Sequence, residues 1–126
     1  MEWSIDVNET QGIITVTLRG QLEVEGTLEA LKSLWAEEDR TGINRALWDF
    51  REMVAGGVTT VHLREMANRH LRDRPDLPES LAAIVVSRDL EFGMARMVEA
   101  FVSQGPVDMQ IFRSMSEASN WLAEED

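Results

Sequence analysis

The chain contains no cysteine. Disulfides, thiolate metal sites and a cysteine nucleophile are excluded together, and the composition suits a reducing compartment. No apolar run approaches the roughly 20 residues that a membrane span requires. The longest, Leu81 to Ser87, has the length of a buried strand. The opening Met1-Glu2-Trp3-Ser4 lacks the basic and apolar regions of a secretory signal. The expected location is therefore the cytoplasm. Lysine occurs once, at Lys32, and no Gly-Lys-Ser/Thr follows Gly56-Gly57, so that pair is not a phosphate-cradling P-loop. Ser87 has no Gly-x-Ser-x-Gly elbow around it. His62 and His70 lie about 12 Å apart along a helix, too far to share a metal unaided. Asp49 and Glu52 are the nearest approach to a carboxylate pair, and neither a defined histidine nor a second buried acid accompanies them. No enzyme, cofactor or metal site is expected from this inventory.

What remains is ample for a core. The chain has 126 residues, 44% of them hydrophobic, which suits one domain over residues 1–126. Its net charge is −11. Such a surface is repelled by nucleic acid and by anionic membranes. It favours solubility or a basic partner protein.

Periodicity places the elements. Trp3, Ile5 and Val7 alternate with polar residues, and Ile13 to Leu18 is rich in β-branched side chains, so the two form a hairpin across the turn ending at Gly12. Leu28, Leu31, Leu34 and Trp35 mark a helix capped by Thr27 and closed by Gly42. Ala46 to Phe50 reads as a short strand, and Arg51 to Val58 as a loop. A second helix, capped by Thr59 or Thr60, carries Leu63, Met66, Ala67, His70 and Leu71 on one face, with His70 a core histidine and His62 exposed. Pro75 and Pro78 stop it. Leu81 to Val86 is continuously apolar, as a strand covered on both faces must be. Asp89 is expected to cap a third helix with an inner stripe of Leu90, Met94, Met97, Val98 and Phe101. Gly93 lets that helix approach a neighbour, and Phe92 lies off the stripe. A last strand, Met109 to Phe112, leads to a helix with a Ser114/Glu117 capping box, and Glu124 to Asp126 form a tail. The order β-β-α-β-α-β-α-β-α gives an α/β fold: a mixed, mostly parallel five-stranded sheet flanked by helices.

Three segments together resemble a known family: Trp48-Asp49-Phe50 before a loop and helix; Ile84-Val85-Val86-Ser87 followed by Phe92-Gly93-Met94-Ala95-Arg96-Met97; and Val107-Asp108-Met109-Gln110-Ile111-Phe112-Arg113 leading to Ala118 and Trp121-Leu122. The combination resembles the SpoIIAA-like, or STAS-like, family of small bacterial α/β domains, a relative of the CRAL-TRIO-like lipid carriers. The resemblance implies a mixed sheet flanked by helices. It also implies non-enzymatic work: regulation through protein–protein contact, sensing, or holding a small or lipid-like ligand. In the antagonists of anti-sigma factors a serine after the Asp-bearing strand is phosphorylated. The matching segment here is Gly56-Gly57-Val58-Thr59-Thr60. It lacks the usual Asp-Ser-Ser-Gly, and Thr59 and Thr60 are the candidate acceptors.

Ligands of open α/β sheets bind beyond the carboxyl ends of the strands. That rim gathers Asp49, Arg51, Gly56, Gly57, Thr59, Thr60, Ser87 and Arg88. Two helix N-termini there, with Arg51 and Arg88, suit a small anionic ligand or a partner protein. The alternative is two ordinary capped helices. A basic cluster at Arg64, Arg69, Arg72 and Arg74 is either a solvated face or a dock for an acidic segment. Met94 and Met97, with Phe92 and Phe101, belong to the core or line an apolar ligand site. A symmetric homodimer is open as well.

Overall fold

The computed structural model describes residues 1–73, 79–103 and 105–124, with the side chains of residues 70–73 outside that description. The expectations for His70, Leu71, Arg72, Arg74, Pro75, Pro78, Glu125 and Asp126 therefore lie outside the described residues. The chain begins with β1 (Glu2–Asn8) and β2 (Ile13–Gln21), then α1 (Val24–Thr41) and β3 (Arg45–Val54). Next come α2 (Thr60–Asp73), β4 (Ser80–Val85) and α3 (Asp89–Val102). The last elements are β5 (Val107–Phe112) and α4 (Met115–Glu124).

The five strands lie in their sequence order. β1 and β2 are antiparallel, and each later pair is parallel. This order decides where the helices go. A right-handed crossover that always steps to the next strand on the same side places its helix on the same face each time. Accordingly, side chains from α1 and α3 share one core cluster with Ile14, Val16, Ala46, Trp48, Ala82 and Ile84. The opposite face is left to α4, whose Ala118 and Leu122 meet Leu47, Ala83 and Val85. The run from Leu81 is thus covered on both sides, as its composition requires.

The three crossover helices do not sit equally close to the sheet. α1 lies on β1 and β2, α3 on β5, and α2 packs mainly against α3 and less against α1. Several of the residues beneath α2 are small. Ala46 and Ala82 are register partners on β3 and β4, with Ala67 on α2 and Ala95 on α3 also buried.

Several boundaries differ from the sequence reading, each for a local reason. β3 runs on to Val54 because Arg19, Gly20 and Gln21 pair with Glu52, Met53 and Val54 after a register shift that leaves one extra residue on β3. α1 starts at Val24, with Glu23 as its N-cap residue. Thr27 is already inside the helix, where its hydroxyl donates to the Glu23 carbonyl at 2.7 Å. Gly42 closes α1 as expected, in the left-handed region at φ 76°, with its N–H on the Glu38 carbonyl. Asp89 is the first residue of α3 and not its cap; its carboxylate is taken by Arg113 at 2.7 Å. The inner stripe of α3 is rotated by about one residue. Glu91, Ala95 and Val102 are buried, whereas Leu90 is 65% exposed. Gly93 faces outward, and a Cβ there would meet nothing within 4 Å, so it serves no close helix approach.

Candidate functional site

The rim residues form two separate groups. Asp49 pairs in register with Val85, so it lies on the α4 side of the sheet. Arg51 grips it there: Nε donates to Oδ1 at 2.9 Å, Nη2 to Oδ2 at 3.0 Å, and the Arg51 backbone N–H to Oδ1 at 3.1 Å. Partial burial pushes the Asp49 carboxyl up. The Arg51 bonds, with the charges of Arg51 and Arg19, outweigh that and hold it below the ordinary carboxylate value. Bonding to the same carboxylate raises the Arg51 guanidinium in turn. Ser87 joins this group by donating its hydroxyl to the Arg51 carbonyl at 2.9 Å.

The second group lies on the α3 side. Arg88 donates to the Glu91 carboxylate and, at 3.3 Å, to the Met53 carbonyl. Gly56, at φ 62°, adjoins Arg88, and with Val54, Ala55, Leu90 and Glu91 they line a shallow surface depression. Both arginines expected to receive an anion are thus held by carboxylates of the chain itself. Gly57 is exposed in the turn that follows.

Thr59 and Thr60 stand at the start of α2, both exposed. Thr59 is the cap: its Oγ1 accepts from the His62 N–H at 3.3 Å, and the Thr59 N–H donates to His62 Nδ1 at 3.1 Å. This is a capping box with histidine in the usual glutamate place. The basic cluster is largely used internally where described. Arg64 lies over the Phe101 ring at 5.4 Å, and Arg69 reaches Glu25 at 3.4 Å. These contacts tie α2 to α3 and to α1. Phe92 is covered by the Arg113 guanidinium at 4.5 Å.

The feature that no motif announced lies beneath α2. A cavity of about 140 Å³ lies between the sheet and α1, α2 and α3, with Trp48, Phe50, Met66, Met94 and Val98 among its walls. Met94, one of the methionines considered for an apolar site, does line it. Met97, Phe92 and Phe101 do not. Glu91 forms part of the same wall. Only 3% of it is exposed, and it is the one buried polar or charged side chain among the described residues. Its Oε1 receives Arg88, while its Oε2 is buried without a hydrogen-bond partner. An unmade hydrogen bond to a buried acceptor costs about 1–3 kcal/mol, and this oxygen is enclosed beyond the reach of a water-sized molecule.

Sequence reasoning missed Glu91 because a glutamate in a helix's first turn reads as solvent-facing. The signal was present in the spacing. Ala95, Val98 and Val102 follow Glu91 at four, seven and eleven residues, a helical stripe that begins on the acid and not on Leu90.

No family model and no curated protein matches the sequence. Among solved structures, the chain is similar to an uncharacterized protein of the DUF3478 family, with a SpoIIAA-like fold, from Shewanella loihica PV-4. Identity is 18%, the alignment covers 95% of this chain and 93% of the other, and the TM-score is 0.59. The mixed sheet with its four helices, counted among the described residues, is a SpoIIAA-like α/β fold.

Proposed function

We propose that the chain is a non-catalytic binding domain that holds an apolar ligand between α2 and the sheet. One observation carries this reading: the cavity walled by Trp48, Phe50, Met66 and Met94. Largely apolar space of this size can take up apolar molecules, and methionine walls adapt to an occupant's shape. Among the described residues, the polar ties of α2 to its neighbours are a cation over a ring and a surface ion pair, worth about 1 kcal/mol or less each, beside the buried packing of Leu63 and Ala67.

The test uses methyl-labelled methionine and toluene as the probe. Saturable shifts at the Met66 and Met94 methyls are expected, and Ala82→Leu should abolish them by filling the space. Methyl signals unmoved at toluene saturation would rule the reading out.

A second reading, contact with a partner protein, is favoured by exposed apolar side chains at the N-terminal ends of α2 and α3. Val61 is 71% exposed and Leu90 65%. Thr60, beside Val61, would be the phosphate acceptor of such a switch. The double variant Val61→Glu/Leu90→Glu should lose whatever the native chain captures from its host. An identical captured set from both would remove this reading.

A further inference from the structure

We propose that the Glu91 side chain is the door of the cavity and Arg88 its latch. An apolar occupant then enters from the surface depression at the carboxyl ends of the strands, and not beneath α2. An entrance matters only if the cavity takes an occupant, so this assignment rests on the cavity reading and adds the way in.

Position singles out Glu91. It belongs to the wall of the cavity and also to the depression lined by Val54, Gly56, Arg88 and Leu90. Among the described residues it is the one that the two spaces share. One side chain therefore stands between the outside and the apolar space.

Energy lets that side chain move. In the closed position Oε2 is buried without a hydrogen-bond partner, a cost that hydration outside would remove. What opposes opening is the bond from Arg88 to Oε1. The gain and the loss are of similar size, so an open form lies within thermal reach.

Arg88 is placed to hold the door and to let it go. It is the N-cap residue of α3, and its guanidinium also donates to the Met53 carbonyl at 3.3 Å. It thus joins the end of β3 to the acid. The Arg88 side chain is 53% exposed and that of Glu91 3%, so the latch stands in water and the door inside. The rival way in, beneath α2, must part the buried packing of Leu63 and Ala67. Turning one side chain outward disturbs far less apolar contact.

The experiment follows toluene entering the intact chain, with both rates read from exchange of the methyl-labelled Met66 and Met94 signals. Opening costs the native chain one charge-assisted bond, so Glu91→Ala should speed association and dissociation about tenfold, with a much smaller change in Kd. Glu91→Met has similar bulk and nothing to hydrate outside, so it should slow both rates. Arg88→Ala frees the acid and should speed them as Glu91→Ala does. A way in beneath α2 would respond instead to Arg64→Ala/Arg69→Ala, which removes polar ties of that helix. Rates unchanged by Glu91→Ala, or raised only by the Arg64/Arg69 double variant, would overturn the door and leave the cavity reading standing. If toluene moves neither methyl signal of the native chain, the cavity reading itself fails, and the door with it. Where Glu91→Ala does not fold, Arg88→Ala decides, since it removes a half-exposed head and opens no space in the core. An unchanged rate there overturns the assignment equally.

Discussion

The two faces of the sheet are built from the same strands and end in opposite states. On the α4 face, Ala83, Val85, Ala118 and Leu122 are fully enclosed. One helix is laid over β3, β4 and β5 on that side. On the other face three helices compete for the same sheet, and the middle one rests on its neighbours. The alanines at 46, 67, 82 and 95 do not fill what is left, and a cavity results. Adjacent residues of β4 therefore meet different environments: Ala83 has neighbours on every side, while Ala82 borders empty space. Burial alone does not separate them, since both count as core. What separates them is whether the covering helix can reach the sheet.

The largest expected effect breaks the packed face. Leu122→Ala removes a fully buried side chain from the α4 contact, and the surroundings can collapse only partly. A loss of about 2–5 kcal/mol is expected in urea unfolding. A loss below about 1 kcal/mol would mean that this face is as loose as the other.

The next sharpens the contrast within one dipeptide. Ala83→Val overfills a closed site and should destabilise by about 1–3 kcal/mol. Ala82→Val enters the cavity and should be neutral or stabilise by about 0.5–2 kcal/mol, while weakening toluene binding. Equal losses from both substitutions would show that the space beneath α2 closes in solution.

This contrast also marks what the sequence can reveal. The apolar run from Leu81 and the alternation of strand and helix disclosed a mostly parallel sheet covered on both sides. They could not disclose which side is tight. Ala82 and Ala83 are identical letters, and the gap depends on the standoff of α2, a tertiary property. The rim was legible only as a list. Asp49 and Arg88 both read as strand-end residues in the sequence, yet Asp49 lies inside β3 and Arg88 caps α3, and the pleat and the crossover send one toward α4 and the other toward α3. Period two along β3 from Leu47 puts Asp49 on the α4 side, but the extension of β3 to Val54 depends on pairing with the far end of β2, past a bulge. Glu91 was hidden by a prior about residue type that local spacing contradicts. The general lesson concerns helical stripes: the stripe should be fitted with the acid allowed inside, and the buried acid then stands out as the exception to explain.

The smallest effect belongs to the rim group on the α4 side. Asp49 is held below its ordinary value by Arg51 despite partial burial. A carboxyl with a lowered folded-state pKa binds its proton less readily folded than unfolded. Its stabilisation is present above the unfolded value, about 3.9, and is lost as pH falls through the lower folded value. Asp49→Asn has no such proton to gain. Native and variant stabilities should therefore differ most at neutral pH and converge as the pH drops below about 4. Arg51 is half exposed, so screening keeps the gap modest, and raised salt should narrow it. A gap that stays constant from pH 7 to pH 3 would show that the pair does not act through charge. A gap that widens on acidification would reverse the assigned direction. Repeating the measurement in Ala82→Val, which alters only the opposite face, should leave the convergence unchanged. Residues on opposite sides of the sheet with no shared partner contribute additively. A pH profile altered by filling the cavity would instead reveal that the two faces, so different in packing, are coupled through the strand they share.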